Sequence, residues 1–253
     1  MSLPEPAADA ALHLRPTAPL AERVLLPGDP GRALALAQAL LAEPRMFNHH
    51  RGLWGYTGAA PDGEPLTIQA TGMGGPSAAI VLSELIALGA RRAIRVGTCG
   101  ALDASLALGE LVIARESICA DGTSSALGFA ERVAADGALT RALEAAAGSA
   151  RAGTVISVDL FYDDVPRSRE HDALAVEMEA AALFALGSNE EVPVACVLAV
   201  SDTFDARGAR TRIEEELLRD AAERMGELAL RALAPGGGRG LGAGRGTGRG
   251  RRG

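Results

Sequence analysis

An arginine stands inside an otherwise apolar run, Ile94-Arg95-Val96, just before a turn of small and polar residues, Gly97-Thr98-Cys99-Gly100. A strand of that composition is ordinarily buried on both faces, so its charge needs an anionic partner. The planar guanidinium fork suits a phosphate or an internal carboxylate, and the residues leave both readings open. Two further glycine turns, Pro27-Gly28-Asp29-Pro30 and Thr71-Gly72-Met73-Gly74-Gly75, have the composition that lets backbone N–H groups approach an anion at a strand end. Arg32 lies one turn into the segment after the first, and Arg51 follows the pair His49-His50. Either arginine alone reads as a surface residue.

Two acidic clusters offer proton chemistry. Val176-Glu177-Met178-Glu179-Ala180 places carboxylates two apart, which is not a same-face spacing on a helix. The two therefore do different work, one capping or supporting and the other reaching a ligand. Val200-Ser201-Asp202 ends an apolar strand, where an aspartate serves as a general acid, a hydrogen-bond acceptor or a cap. Gly72-x-Gly74 before a helix resembles part of a dinucleotide fingerprint, but the acidic residue expected about 20 positions on is replaced by the Arg91–Arg95 region. No G-x-S-x-G, P-loop or H-E-x-x-H is present, and His13, His49, His50 and His171 lack metal-ligand spacing. The expected reaction uses neither a metal nor a covalent serine, and no cofactor.

These residues are positioned by alternating strand-like and helix-like segments. Strands are expected at Arg23–Leu26, Leu66–Ala70, Ala93–Val96, Glu110–Ala114, Thr154–Val158 and Val194–Val200. Helices are expected at Pro30–Ala42, with Asp29 as N-cap, and at Pro76–Leu88, closed by Gly89. Others are expected at Leu139–Ala147, Glu177–Leu186 and Arg212–Leu233; in the last, Ile213, Leu217, Ala221, Met225 and Leu228 recur at helical spacing. The pattern predicts a single three-layer α/β/α domain over residues 16–234, with a central mixed, mainly parallel sheet. Residues 1–15 form an N-terminal arm.

Residues 235–253 read as a disordered Gly/Arg tail, too poor in apolar side chains to fold. The chain contains no lysine, and removing the tail's five arginines takes the net charge from −7 to −12. Such an acidic body is a poor nucleic-acid binder, so any affinity of that kind belongs to the tail. Three widely spaced cysteines suggest neither a disulfide framework nor a zinc knuckle. With no signal peptide and no spanning apolar run, a cytoplasmic location is expected, without membrane contact.

Seven segments, in order, resemble the nucleoside phosphorylase family that includes hexameric purine nucleoside phosphorylases and uridine phosphorylases. They are Arg23–Arg32, Asn48–Tyr56, Thr71–Ser77, Arg95–Gly100, Asp159–Tyr162, Val176–Ala180 and Val200–Asp202. The resemblance implies a homo-oligomer, a hexamer built as a trimer of dimers, in which a neighbouring subunit completes each site. It implies that Gly28, Arg32, Arg95 and Thr98 hold phosphate and that Arg51 reaches the partner's site. Glu179, Met73 and Met178 would contact ribose, with His13 of a neighbouring subunit near its 5′ end. Phe161, Val176, Cys99, Gly100 and Ser201 would surround the base, and Asp202 would protonate it at N7.

The implied reaction is phosphorolysis of purine (2′-deoxy)ribonucleosides to free base and (deoxy)ribose 1-phosphate, with inorganic phosphate as co-substrate. Uridine phosphorylases of the same family carry a Gln/Arg insert before the Glu-Met-Glu segment. Here the stretch Asp163–Ala175 is short and has no Gln, which favours purine. Three departures stand out: Thr98 replaces the commoner Ser, that stretch is short, and neither Arg212 nor Arg219 falls cleanly where a last-helix Arg normally assists the aspartate. Uridine phosphorolysis, a hydrolytic nucleosidase and a nucleoside-binding module without catalysis are the alternatives. The phosphate arginines disfavour the nucleosidase.

Overall fold

The computed structural model describes residues 11–162, 172–205 and 207–234. The expected tail and most of the expected N-terminal arm lie outside the described residues, as does the core of the Asp163–Ala175 stretch. The strands are β1 (Arg23–Leu26), β2 (Ala42–Asn48), β3 (Gly55–Ala59), β4 (Pro65–Gln69), β5 (Arg92–Ala101), β6 (Leu111–Ala120), β7 (Arg132–Ala134), β8 (Arg151–Val158), β9 (Ala175–Glu177), β10 (Val194–Phe204) and β11 (Arg210–Arg212). The helices are α1 (Pro30–Leu40), α2 (Gly75–Ala87), α3 (Gly122–Ala126), α4 (Gly137–Ala147), α5 (Ala180–Asn189) and α6 (Glu215–Leu233).

The sheet is mixed, and its parallel heart is β4-β1-β5-β10. Beyond β4 it continues antiparallel through β3 to β2. On the other side β10 pairs with β6, β6 with β8, β8 with β9, and β9 returns to β5. Five strands thus close a ring, which is why β5 and β10 run several residues past their expected ends. A strand with a hydrogen-bonding neighbour on each side has no reason to stop.

One apolar cluster packs the sheet against α2 and α5, and a second packs it against α1, α4 and α6, giving the three expected layers. Side-chain alternation along β5 allots the layers: Ile94 and Val96 enter the second cluster, while Ala93 enters the first. Low aromatic content is met by small side chains packed closely. Ala180, Ala181, Ala182 and Ala185 of α5 are all buried, and Gly187 sits against β10.

Two helix starts differ from expectation for identifiable reasons. Glu177 ends β9 and its carboxylate accepts the N–H groups of Glu179 and Ala180, so it caps α5 from outside. Arg212 belongs to β11 because Asp202 and Arg212 pair across a hairpin, which delays α6 to Glu215. Ile213 is buried but precedes the helix, and Leu217 is 55% exposed, so the apolar stripe of α6 begins at Ala221. No helix among the described residues is long and apolar enough to cross a membrane.

A Cβ on Gly187 would lie 2.5 Å from Val194 Cγ2 and 2.8 Å from the Val192 carbonyl oxygen. Gly187→Ala is expected to destabilise the fold by about 1–3 kcal/mol. Thermal unfolding should show a midpoint lowered by roughly 2–10 °C; an unchanged midpoint would contradict this packing.

Candidate active site

A cleft of about 560 Å³ opens at the carboxyl ends of β1, β4, β5 and β10, where ligands bind in open α/β sheets. At its inner end Arg95 projects from β5. Gly97, two residues on and on the same face, makes room for it: a Cβ there would stand 2.6 Å from the Arg95 guanidinium carbon. Nε donates to Glu177 Oε2 at 3.0 Å, and Nη2 meets Glu179 Oε2 at 2.5 Å. Nη1 is buried and has no hydrogen-bond partner. The internal-carboxylate reading of Arg95 therefore holds, since carboxylates take two edges of the fork, and one nitrogen is left over.

The two glutamates divide the work as their spacing requires. Glu177 also accepts from the Ser157 hydroxyl and caps α5, so its role is support. Glu179 accepts from the Gly74 N–H at 2.5 Å, which ties the second glycine turn to the site and brings the carboxylate to the cleft wall. Burial works against the Arg95 charge, but the Glu179 and Glu177 carboxylates outweigh it and hold the guanidinium above the usual arginine range. Burial pushes the Glu177 carboxyl up, with Arg95 opposing. Arg32 reaches the same end from α1, whose N-terminus is fixed by Asp29 accepting the Arg32 N–H at 2.7 Å. Burial lowers its pKa from the usual arginine range, Asp29 opposes that, and nearby Arg95 adds to it.

The other end of the cleft is built on β10 and β11. A bulge at Ser201 turns Asp202 to pair with Gly100. Asp202 is buried; its Oδ2 lies 2.7 Å from Ser201 Oγ, and Oδ1 has no hydrogen-bond partner. Ser201 Oγ also lies 3.2 Å from the Cys99 carbonyl oxygen. One hydroxyl proton serves one acceptor at a time, so Ser201 donates either to Asp202 or to the Cys99 carbonyl. Arg212 Nη1 stands 3.7 Å and Arg210 Nε 4.0 Å from Oδ1. Both arginines belong to β11, the strand before the last helix.

Gly28, Arg32, Met73, Arg95, Thr98, Cys99, Gly100, Phe161, Val176, Met178, Glu179, Ser201 and Asp202 all line this cleft. Met73 is 86% exposed at its mouth. The sequence reading missed Phe204 and Arg210; a β-hairpin was the missing signal, legible only as Asp205–Gly208 between short β-prone runs. A side chain at Gly100 would meet the Phe204 ring at 2.9 Å, so that glycine seats the ring.

His13 and Arg51 do not line the cleft. They stand together elsewhere: Glu84 of α2 accepts the N–H groups of Leu12, His13 and Leu14 and contacts His13 Nδ1 at 2.6 Å. His50 Nδ1 donates to the His13 carbonyl at 2.9 Å, and Arg51, exposed beside it, adopts a left-handed backbone with φ 59°.

Residues 22–234 match the phosphorylase superfamily. The chain belongs to that superfamily. Among its relatives is a DeoD-type purine nucleoside phosphorylase of Alkaliphilus metalliredigens, 37% identical over 209 residues, covering 78% of this chain and 89% of the relative. DeoD-type purine nucleoside phosphorylases of Caldanaerobacter subterraneus (36% over 208 residues, covering 78% and 88%) and Bacillus cytotoxicus (36% over 225 residues, covering 84% and 94%) are similar to it as well.

Glu84 yields a pH-dependent test. Burial raises its pKa, but bonds from Leu14, His13 and Leu12 outweigh burial and depress it. A depressed carboxylate contributes stability that is present above its unfolded pKa, about 4.3, and lost as pH falls through the lower folded value. Glu84→Gln should cost about 1–3 kcal/mol near neutral pH. Its melting deficit against the parent should be present at neutral pH and shrink below about pH 4. A deficit independent of pH throughout would contradict the ionised clamp.

Proposed function

We propose that the protein catalyses phosphorolysis of purine ribo- and 2′-deoxyribonucleosides to free base and pentose 1-phosphate. The observation that carries this reading is the pair of buried polar atoms without partners at opposite ends of one cleft, Arg95 Nη1 and Asp202 Oδ1. One offers a donor to an anion and the other a proton to a base. Similarity to DeoD-type purine nucleoside phosphorylases points the same way.

Breaking an N-glycosidic bond builds positive charge on the sugar and negative charge on the leaving base. A phosphate dianion held by Arg95, Arg32, Thr98 and the Gly28 backbone offsets the first charge and attacks C1′. Holding it beforehand converts an encounter into an oriented step. Glu179, which keeps unused lone pairs beyond its bonds to Gly74 and Arg95, binds the ribose hydroxyls between Met73 and Met178. Asp202 transfers its proton to N7 as the base leaves, and Arg210 and Arg212 offset the carboxylate charge left behind. Phe161, Val176, Cys99, Gly100 and Ser201 enclose the base.

The charge balance argues for help from outside the chain. Arg95 and Arg32 are matched by Glu177 and Glu179 before any phosphate arrives, so a dianion needs another cation. Arg51, standing with His13 outside the cleft, fits that need if each serves a neighbouring subunit in a homo-oligomer, with His13 near the ribose 5′ end. The hairpin arginines beside Asp202 favour catalysis over a binding module without it.

The test is incubation with inosine, guanosine, adenosine and uridine, with and without phosphate, following release of free base. Phosphate-dependent cleavage of a purine nucleoside is expected. Arg95→Ala should lower kcat/KM by about a hundredfold or more, and Asp202→Asn should lower kcat similarly. Cleavage of uridine alone would overturn the purine assignment, cleavage without phosphate would mean hydrolysis, and no cleavage at all would mean a binding module.

A further inference from the structure

We propose that Asn48 is a positioning residue that makes His13 and Arg51 one rigid unit, so that both reach a neighbouring subunit's site in a fixed relation. The inference rests on the reading above, in which Arg51 serves a neighbour's phosphate and His13 its ribose. It adds the buried side chain on which both contributions depend.

Asn48 ends β2 and is fully buried. Its Oδ1 accepts the Arg15 N–H at 2.9 Å and the His50 N–H at 3.3 Å. Its Nδ2 donates to the Leu53 carbonyl at 2.5 Å and to the His50 carbonyl at 3.3 Å. An asparagine amide has two N–H donors and two acceptor lone pairs, so every capacity is used. Turning the amide over would set oxygen against carbonyls and N–H against N–H, so these partners fix its orientation. One side chain thus ties the segment just after His13 to the turn on both sides of Arg51. His50 Nδ1 closes the unit by donating to the His13 carbonyl at 2.9 Å. Gln69 Nε2 also donates to the Leu53 carbonyl, at 2.9 Å, so the turn keeps one anchor when Asn48 is replaced.

The turn is held in a conformation that its own stability does not explain. Arg51 has φ 59° and ψ 19°, a left-handed region that glycine enters freely and a residue with a Cβ does not. Its side chain is exposed, so burial does not offset the strain. Strained backbone persists only where the surrounding structure over-determines it, and it collects at functional sites. Asn48 supplies that over-determination, and the exposed guanidinium is what the turn presents.

The experiment measures kcat and the KM values for phosphate and inosine in the parent protein, Arg51→Gly, His13→Ala, Asn48→Asp and Asn48→Ala, with melting curves to identify the folded variants. Arg51→Gly should raise the phosphate KM by about tenfold or more and leave the inosine KM within about twofold. His13→Ala should raise the inosine KM by about threefold or more and leave the phosphate KM within about twofold. Asn48→Asp keeps the acceptor and loses both donors, and should raise the two KM values together by about three- to tenfold. A merely structural defect would lower the folded fraction, and with it the apparent kcat, without moving either KM. Asn48→Ala removes every one of these bonds and should raise both KM values at least as much; it carries the test where Asn48→Asp does not fold. Asn48 variants that change kcat alone, or one KM alone, overturn the proposal while Arg51 and His13 keep their roles. If Arg51→Gly and His13→Ala leave both KM values at the parent's, the neighbouring-subunit reading itself is overturned, and the proposal with it.

Discussion

A charged guanidinium inside a sheet is the constraint on which the rest of this structure depends. Left unpaired, such a group costs several kcal/mol, enough to threaten the fold. Arg95 is kept there by Glu177 and Glu179, by a glycine two residues on, and by Ser157 on the adjacent strand holding Glu177 in place. The same Glu177 caps α5 and the same Glu179 anchors the second glycine turn. One buried ion cluster therefore fixes a helix start, a loop and the floor of the cleft together. Its unsatisfied nitrogen, Nη1, lies beside the Gly28 turn.

The closed ring of strands brings this cluster within reach of Asp202. Because β5 and β10 lie side by side over nearly their whole length, Arg95 and Gly97–Gly100, which continue β5 rather than turn, run alongside Cys196 to Asp202 in register. Arg95 and Asp202 are thus separated by a few residues along two paired strands. That is a rigid spacing, set by backbone hydrogen bonds rather than by loops. The hairpin then folds Arg210 and Arg212 back to within 4.0 Å of the Asp202 carboxylate.

Much of this was legible in the sequence, for physical reasons that differ by element. Short apolar runs between glycine turns give β1, β4, β5 and β10 their places, and Asp29-Pro30 marks the start of α1 through capping chemistry. Arg95 announced itself because arginine is out of place in a buried strand. The different jobs of Glu177 and Glu179 follow from their spacing. What escaped notice depends on long-range pairing. The extensions of β5 and β10 exist only because β9 and β6 return to them, and β11 exists only as the partner of β10. Leu217 fits the helical period yet lies exposed, since periodicity does not reveal where a neighbouring layer ends. The anchoring of residues 12–14 by Glu84, some 70 positions away, has no local signal at all.

The most direct test of the account is a crystal structure of the protein with phosphate. The account predicts an anion accepting a hydrogen bond from Arg95 Nη1, beside Arg32 and the Gly28 turn, with Glu177 and Glu179 still holding the other two edges of the guanidinium. An anion bound elsewhere, or an Arg95 that keeps Nη1 turned away from a phosphate in the cleft, would contradict it.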